Sequence, residues 1–151
     1  MKLPFMETDY TLYRHEYKYE INAKQIEMLK VHLSSIVSLD SHVGEKMKYN
    51  IRSLYFDDCY NTCYYENQNG VSPREKFRIR IYNYSDERIT LELKRKDHDK
   101  TFKQSCAISK ENVLRLIEGD NLLWDDNMDP LLKKLYVLVY TRMMKPKIIV
   151  E

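Results

Sequence analysis

Two neighbouring segments that alternate charged and apolar residues constrain the fold of this chain more than any other feature. Residues 76–84 begin with Lys, Phe, Arg, Ile, Arg, Ile, and residues 88–96 alternate Ile and Leu with Thr, Glu and Lys. A period of two is typical of β-strands that bury one face. The intervening Ser85-Asp86-Glu87 favours a turn, so the sequence predicts an antiparallel hairpin at this place.

The remaining pattern predicts an α+β fold built on an incomplete antiparallel barrel. About six strands and three flanking helices are expected, with one shorter helix, and no linker divides residues 1–151, which predicts a single domain. Helix caps are predicted at Asn22 with Gln25, at Ser109 with Gly119 closing the helix, and at Asp129-Pro130. The other strands are predicted at 10–21, 48–57, 101–108 and from 147 onward, and the helices at 22–38, 59–68, 109–118 and from 130 onward.

Composition excludes several function classes. Only 3 glycines occur, far apart, so no glycine-rich phosphate loop can form, and any bound phosphate must be held by side chains. A net charge of +2 gives no overall basic footprint for sequence-specific nucleic acid binding. No apolar run is long enough for a transmembrane segment. The 3 cysteines, without an export signal, predict free thiols and a cytoplasmic location, with a zinc site as the minor alternative.

Basic residues concentrate on one face of the predicted sheet. Residues 74–103 contain ten basic and six acidic residues, and the cations recur at i and i+2, which places them on the same side of a strand. This spacing suits an anion with repeated charges, because Arg and Lys both bind phosphate oxygens. An ordinary solvated sheet face is the alternative. The candidate phosphate-binding residues on these strands are Arg78, Arg80, Lys94 and Lys96, with Arg52 and Lys103 extending the set.

Two glutamates lie among these cations in the pattern, Glu16 and Glu92. A carboxylate repels phosphate, so each glutamate either neutralises neighbouring cations or ligates a divalent metal that bridges to phosphate. The sequence leaves both roles open for both residues.

The ordered motifs resemble a known family. Arg14-His15-Glu16-Tyr17-Lys18-Tyr19 is similar to the opening strand motif of VTC-type polyphosphate polymerase domains, which belong to the triphosphate tunnel metalloenzyme superfamily. Single motifs are weak, but their order along nearly the whole chain is specific. The later matching motifs are Ile51 to Asp57, Pro73 to Arg80, Leu91 to Lys96 and Lys145 to Val150.

The resemblance implies a barrel whose interior is a basic tunnel for ATP, triphosphate or polyphosphate. It implies transfer of the terminal phosphoryl group of ATP to a polyphosphate chain with Mn or Mg, and no protein nucleophile. By motif, the tunnel cations are Lys18, Arg78, Arg80 and Lys94, with Lys103 a looser match. Arg14 stands where the wider superfamily has a metal-ligating Glu, and the resemblance implies further strands beyond Glu151. The open edges of such a partial barrel could pair with a second copy.

Enzymatic activity therefore depends, in this interpretation, on a longer form of the protein. The first alternative is a non-catalytic module that binds polyphosphate, nucleotide or inositol polyphosphate, and a third reading is a single-stranded RNA-binding sheet. Tyr60, Tyr64 and Tyr65 are predicted to pack rather than to stack on a base. Asp57 and Asp58 are predicted to cap a helix rather than to bind a metal.

Overall fold

The computed structural model describes residues 13–40, 43, 48–120 and 124–151. The chain divides into two compact units, one formed by residues 16–49 and one by residues 1–15 with 50–151. The described residues form six strands and four helices, so the predicted α+β class is confirmed. In chain order they are β1 Arg14–His15, α1 Ala23–Leu33, β2 Ile51–Asp57, α2 Thr62–Gln68, β3 Arg74–Tyr82, β4 Ser85–Asp97, β5 Lys100–Ala107, α3 Lys110–Glu118, α4 Pro130–Arg142 and β6 Lys145–Val150.

All six strands belong to one antiparallel sheet in the order β1-β5-β4-β3-β2-β6. Within the described residues, β1 and β6 are the edges and the sheet does not close. The edge strand β6 leaves Ile148, Ile149 and Val150 about half exposed or more. This open sheet agrees with the predicted incomplete barrel, whereas pairing of its edges with a second copy stays a prediction.

The β3–β4 hairpin exists, but the turn differs from the prediction. Strand β4 begins at Ser85, and the turn is formed by Asn83 and Tyr84, both with positive φ (51° and 59°). Two consecutive positive φ values define the tight turn that matches the right-handed twist of a hairpin. Asn83 accepts a hydrogen bond from the Asn50 backbone through its side chain and donates one back from its own backbone. The hydrogen bonds and positive φ of Asn83 therefore place the turn, and the polar residues Ser85–Glu87 do not.

One face of the sheet builds the core. Every second residue of β3 and β4 points to this face, where Phe77, Ile79, Leu91 and Leu93 are at most 4% exposed. Helix α4 covers them through Leu131, Leu132, Leu135 and Tyr136, and α3 adds Leu116. Burial of these side chains removes apolar surface from water and fixes which side of each strand faces inward.

The predicted strand at 10–21 is much shorter in the structure. Only Arg14 and His15 pair, opposite Thr101 and Lys100 of β5, and residues 10–12 lie outside the described residues. Because β5 begins at Lys100, its backbone offers no further partner to the residues after His15. Alternation in sequence predicted the strand but could not reveal where its partner begins.

The helix ends follow the predicted capping chemistry. In the unit of residues 16–49, Asn22 and Gln25 form a reciprocal capping box at the start of α1. In the other unit, Ser109 caps α3, which closes at Gly119 in the left-handed conformation (φ 77°). No helix among the described residues is both long and apolar enough to cross a bilayer.

Candidate functional site

The face of the sheet opposite the core carries basic side chains, and we call it the cation face. Paired residues of an antiparallel sheet point to the same side, so the registers of β3, β4 and β5 place these side chains together. Thus Lys94 and Lys103 lie on the side opposite Leu93. The predicted site residues on the cation face are Arg78, Arg80, Glu92, Lys94, Lys96 and Lys103, and Lys76 lies there with them.

Three lysines stand side by side across the central strands. Lys76 of β3 pairs with Lys94 of β4, which pairs with Lys103 of β5, and we call these three residues the lysine row. Like charges directly opposite each other destabilise a sheet. The row contains two such pairs of like charges, and an anion bound across the row would relieve both repulsions.

The surroundings of the lysine row oppose positive charge. Partial burial, followed by the charge of Arg74, lowers the pKa of Lys76 below its ordinary value. Desolvation, followed by the charges of Arg14, Arg78 and Lys94, lowers the pKa of Lys103. Both shifts mean that the ammonium form is less favourable here than in water, and a bound anion would reverse that balance.

The neighbouring row has a different composition. Arg78 of β3 pairs with Glu92 of β4; its Nε donates to Glu92 Oε2 at 2.7 Å, and its Nη2 lies 2.5 Å from the same oxygen. The Nη1 atom of Arg80 lies 3.3 Å from Glu92 Oε1. All three side chains are less than one fifth exposed, at 15%, 17% and 18% for Arg78, Arg80 and Glu92. We call Arg78, Arg80 and Glu92 the arginine cluster.

Strand β2 and the hairpin end hold the two guanidinium groups in place. Arg78 Nη1 donates to Tyr55 Oη at 2.9 Å, and Arg80 Nε donates to Ser53 Oγ at 3.3 Å. The guanidinium of Arg80 also lies 6.0 Å from the centre of the Tyr82 ring. Burial acts to lower the pKa of Arg78, but its hydrogen bonds to Tyr55 and Glu92 outweigh burial and raise it.

Sequence reasoning missed Ser53 and Tyr55 as members of this face. The i, i+2 spacing placed Lys76 on the same strand face as Arg78 and Arg80, but Lys76 was not assigned to phosphate binding. Ser53 and Tyr55 carried no signal of their own, since only the β2–β3 register places them beside the two arginines.

The other predicted phosphate-binding residues, Lys96, Arg52 and Lys18, lie in three different places. Lys96 lies on the cation face between Arg74 and Thr101 in the strand registers. Arg52 does not join this face, because it alternates with Ser53 and lies on the side of Leu54 and Phe56. There Arg52 pairs with Glu151 and stacks over Tyr84, 4.7 Å from the ring centre.

Lys18 belongs to the unit of residues 16–49, outside any strand. Its Nζ lies 3.9 Å from Glu16, and its side chain is 84% exposed. The prediction that Lys18 acts as a tunnel cation therefore stays a prediction, and the strand expected to carry it ends at His15.

The prediction that Glu16 and Glu92 ligate a divalent metal stays a prediction. Glu16 and Glu92 belong to different compact units, and both Glu92 oxygens face guanidinium groups. No group of three or more His, Cys, Asp or Glu side chains suited to a metal occurs among the described residues. In the described part of the cation face, Glu92 as it stands does not fit a divalent cation, because both of its oxygens face guanidinium groups.

Asp57 and Asp58 cap a helix, as predicted. Asp57 accepts from the backbone N–H of Cys63 and Tyr64, and Asp58 accepts from those of Tyr60 and Thr62, at 2.9–3.0 Å. These contacts satisfy the first N–H groups of α2.

The prediction that the tyrosines of this region pack inward is wrong. Tyr60, Tyr64 and Tyr65 are 80%, 50% and 55% exposed, and none of the residues of α2 is buried.

The three cysteines are free, as predicted, and burial raises the pKa of the Cys63 and Cys106 thiols to about 12.

Comparisons with known proteins found a matching family and a similar solved structure. A family model described as the VTC domain matches residues 13–151. The crystal structure of a candidate adenylate cyclase from Bacillus halodurans is similar, with a TM-score of 0.50 and 14% identity over 91% of this chain. The match covers 61% of that protein, so this chain spans less than two thirds of its length. No curated protein matches. Since the family model spans the strands that build the cation face and the helices that cover the core, the chain belongs to the VTC domain family.

Proposed function

We propose that the cation face binds condensed phosphate: inorganic triphosphate, polyphosphate or the triphosphate of ATP. The lysine row carries this proposal. Lys76, Lys94 and Lys103 stand in direct register across β3, β4 and β5, and a chain of phosphates presents charges at repeated positions to match. Membership of the VTC domain family supports the same class of ligand.

Within a longer form of the protein, we propose that this binding serves transfer of the terminal phosphoryl group of ATP to a polyphosphate chain. Phosphoryl transfer depends on alignment and on neutralisation of oxygen charge more than on covalent catalysis by the protein. Lys76, Lys94 and Lys103 would neutralise phosphate oxygens, and Arg78 and Arg80 would orient them. No side chain is assigned as a nucleophile, because the acceptor is a phosphate oxygen of the growing chain.

Mn or Mg remains the proposed cofactor on the ground of family membership alone. Such an ion supplies further charge neutralisation for phosphate oxygens when bound. The described residues of the cation face do not provide its ligands, so no step is assigned to the ion.

Titration calorimetry with tripolyphosphate tests the binding proposal. Lys94→Ala removes the central lysine, and we expect about a tenfold to hundredfold loss of affinity, the range for one charge-assisted contact. Lys110→Ala, at the exposed start of α3 where Lys110 pairs with Asp86, is the matched control and should leave affinity unchanged. Equal affinities for wild type and Lys94→Ala would refute the proposal. Displacement of tripolyphosphate by a single-stranded oligonucleotide at equal charge would favour the RNA-binding alternative instead.

A second candidate function is binding of condensed phosphate without catalysis. It is favoured by the contacts of Glu92, which leave the cation face with clamps but without an available carboxylate ligand. Incubation of a longer form of the protein with ATP and Mn separates the two. ADP release with lengthening of polyphosphate supports the transferase, and binding without either product supports the module.

A further inference from the structure

Glu92 is the acidic side chain in the middle of the cation face. Its register partners are Arg78 on β3 and Ser105 on β5, and Lys94 follows two residues later on the same side of β4. At 18% exposure its carboxylate is largely withdrawn from water. A negative charge at this position opposes the binding of any phosphate to the neighbouring lysines, so it requires a physical reason.

The contacts of Glu92 supply that reason. One oxygen accepts a hydrogen bond from Arg78 Nε and lies 2.5 Å from Arg78 Nη2, and the other lies 3.3 Å from Arg80. A guanidinium group binds a carboxylate and a phosphate in the same way, because both present two oxygens that match its paired N–H donors. The arginine cluster is therefore already occupied by an anion, and that anion belongs to the protein.

We infer that Glu92 is an internal anion that occupies Arg78 and Arg80 until a condensed phosphate replaces it. This inference rests on the proposed function. The empty cluster would leave two partly buried guanidinium groups without a counter-charge, which is strongly unfavourable. Glu92 prevents this, and being part of the chain it competes at a high effective concentration. A phosphate chain that also contacts the lysine row gains enough further charge pairs to displace it.

Glu92 as a metal ligand makes the opposite prediction. A ligand to Mn or Mg would increase phosphate affinity through the ion, so its loss would weaken metal-dependent binding. An internal anion decreases phosphate affinity, so its loss would strengthen binding with no metal present.

Glu92→Gln tests the inference, because it keeps the shape of the side chain and removes its charge. With tripolyphosphate and no divalent metal, we expect affinity to rise about tenfold, as expected when one charge-assisted competitor is lost. Glu75→Gln is the matched control: Glu75 lies on the other side of β3, paired with Lys134 and 3.9 Å from Arg95. It should leave affinity within about twofold of wild type, since it does not share the cation face.

The outcomes separate the two levels of the argument. Unchanged or weaker binding by Glu92→Gln, with normal binding by wild type, overturns the role of Glu92 and leaves the proposed function intact. Absence of binding by both proteins overturns the proposed function and this inference together. Loss of an Mn-dependent gain in affinity in Glu92→Gln identifies a metal ligand and also overturns the inference.

A measurement on the wild-type protein avoids any folding defect of the variant. The side-chain Nε–Hε resonance of Arg78, assigned by its disappearance in Arg78→Lys, reports the partner of that donor. Saturation with tripolyphosphate should shift this resonance as the acceptor changes from carboxylate to phosphate. An unchanged Arg78 resonance at saturation would show that Glu92 stays in place and would overturn the inference.

Discussion

The lysine row and the arginine cluster are neighbours on one face of the sheet, but their positive charges have different surroundings. Arg78 and Arg80 have an internal partner in Glu92, with donor–acceptor distances of 2.5–3.3 Å. Lys76, Lys94 and Lys103 have one another as register partners. The first arrangement stabilises the fold, whereas the second opposes it. In our proposal both groups bind the external anion, and the arginines in addition stabilise the fold through Glu92.

Reversing the charge at the centre of the lysine row should give the largest effect. Lys94→Glu places a carboxylate between Lys76 and Lys103, so we expect the affinity for tripolyphosphate to fall by about a hundredfold or more. The free energy of unfolding should stay constant or increase, because the new charge relieves repulsion along the row. Calorimetry and urea unfolding measure the two quantities, with Lys110→Ala as control. A parallel loss of affinity and stability would contradict the contrast between the two rows.

Breaking the arginine cluster should affect stability as well as binding. Arg78→Ala deprives Glu92 of a hydrogen bond and an ion pair, and Tyr55 of a donor, so we expect the free energy of unfolding to fall by about 2 kcal/mol. Urea unfolding monitored by circular dichroism measures this change. Lys76→Met, on the same strand and face, is the control and should not destabilise the protein. Equal destabilisation by both substitutions would mean that the lysine row is also held by internal partners.

The pH dependence of binding provides a smaller test of the lysine row. The pKa values of Lys76 and Lys103 lie below the ordinary value of 10.5, so the folded protein loses these protons before the unfolded chain does. As pH rises through this window toward 10.5, the affinity for tripolyphosphate should fall, while removal of the repulsion increases stability. Substituting both residues with Met should remove this part of each profile. Identical profiles for wild type and the double variant would contradict the assignment.

Substitution of Arg52, which lies on the other side of the sheet from the lysine row, should give the smallest effect. Arg52→Gln removes an exposed pair with Glu151 that is distant in register from the lysine row. We expect no measurable change in tripolyphosphate affinity and a change in unfolding free energy of at most about 0.5 kcal/mol. A loss of affinity above about threefold would show that Arg52 reaches the ligand and would restore the prediction made from sequence.

The sequence predicted the parts of the fold that depend on local chemistry. The alternation in β3 and β4 placed Arg78, Arg80 and Lys94 on one face, and the capping residues Asn22 and Ser109 marked helix starts correctly. These features are decided by residues two to four positions apart, which is the range that a pattern in one sequence can show.

Features that depend on register between distant segments could not be predicted. Arg52 has the same chemistry as Arg80, but the pairing of β2 with β3 turns it toward the helices. The pairing of Glu92 with two arginines likewise depends on the β3–β4 register, so the sequence left its role open. The end of β1 is decided by where β5 begins, almost ninety residues later.

The turn at Asn83 and Tyr84 has a consequence for how this domain can evolve. Between Arg80 and Tyr82 the hairpin register also shifts, so the loop length and the bulge together decide which β4 residue lies beside Lys76. One inserted residue would shift the pairing of β3 with β4 by one position, so an apolar residue would lie opposite each cation and charged residues would face α4. Because side chains alternate between the two faces, no intermediate register exists. Amino-acid replacement can therefore tune the ligand chemistry of this domain, whereas insertions and deletions in this short loop should be eliminated by selection.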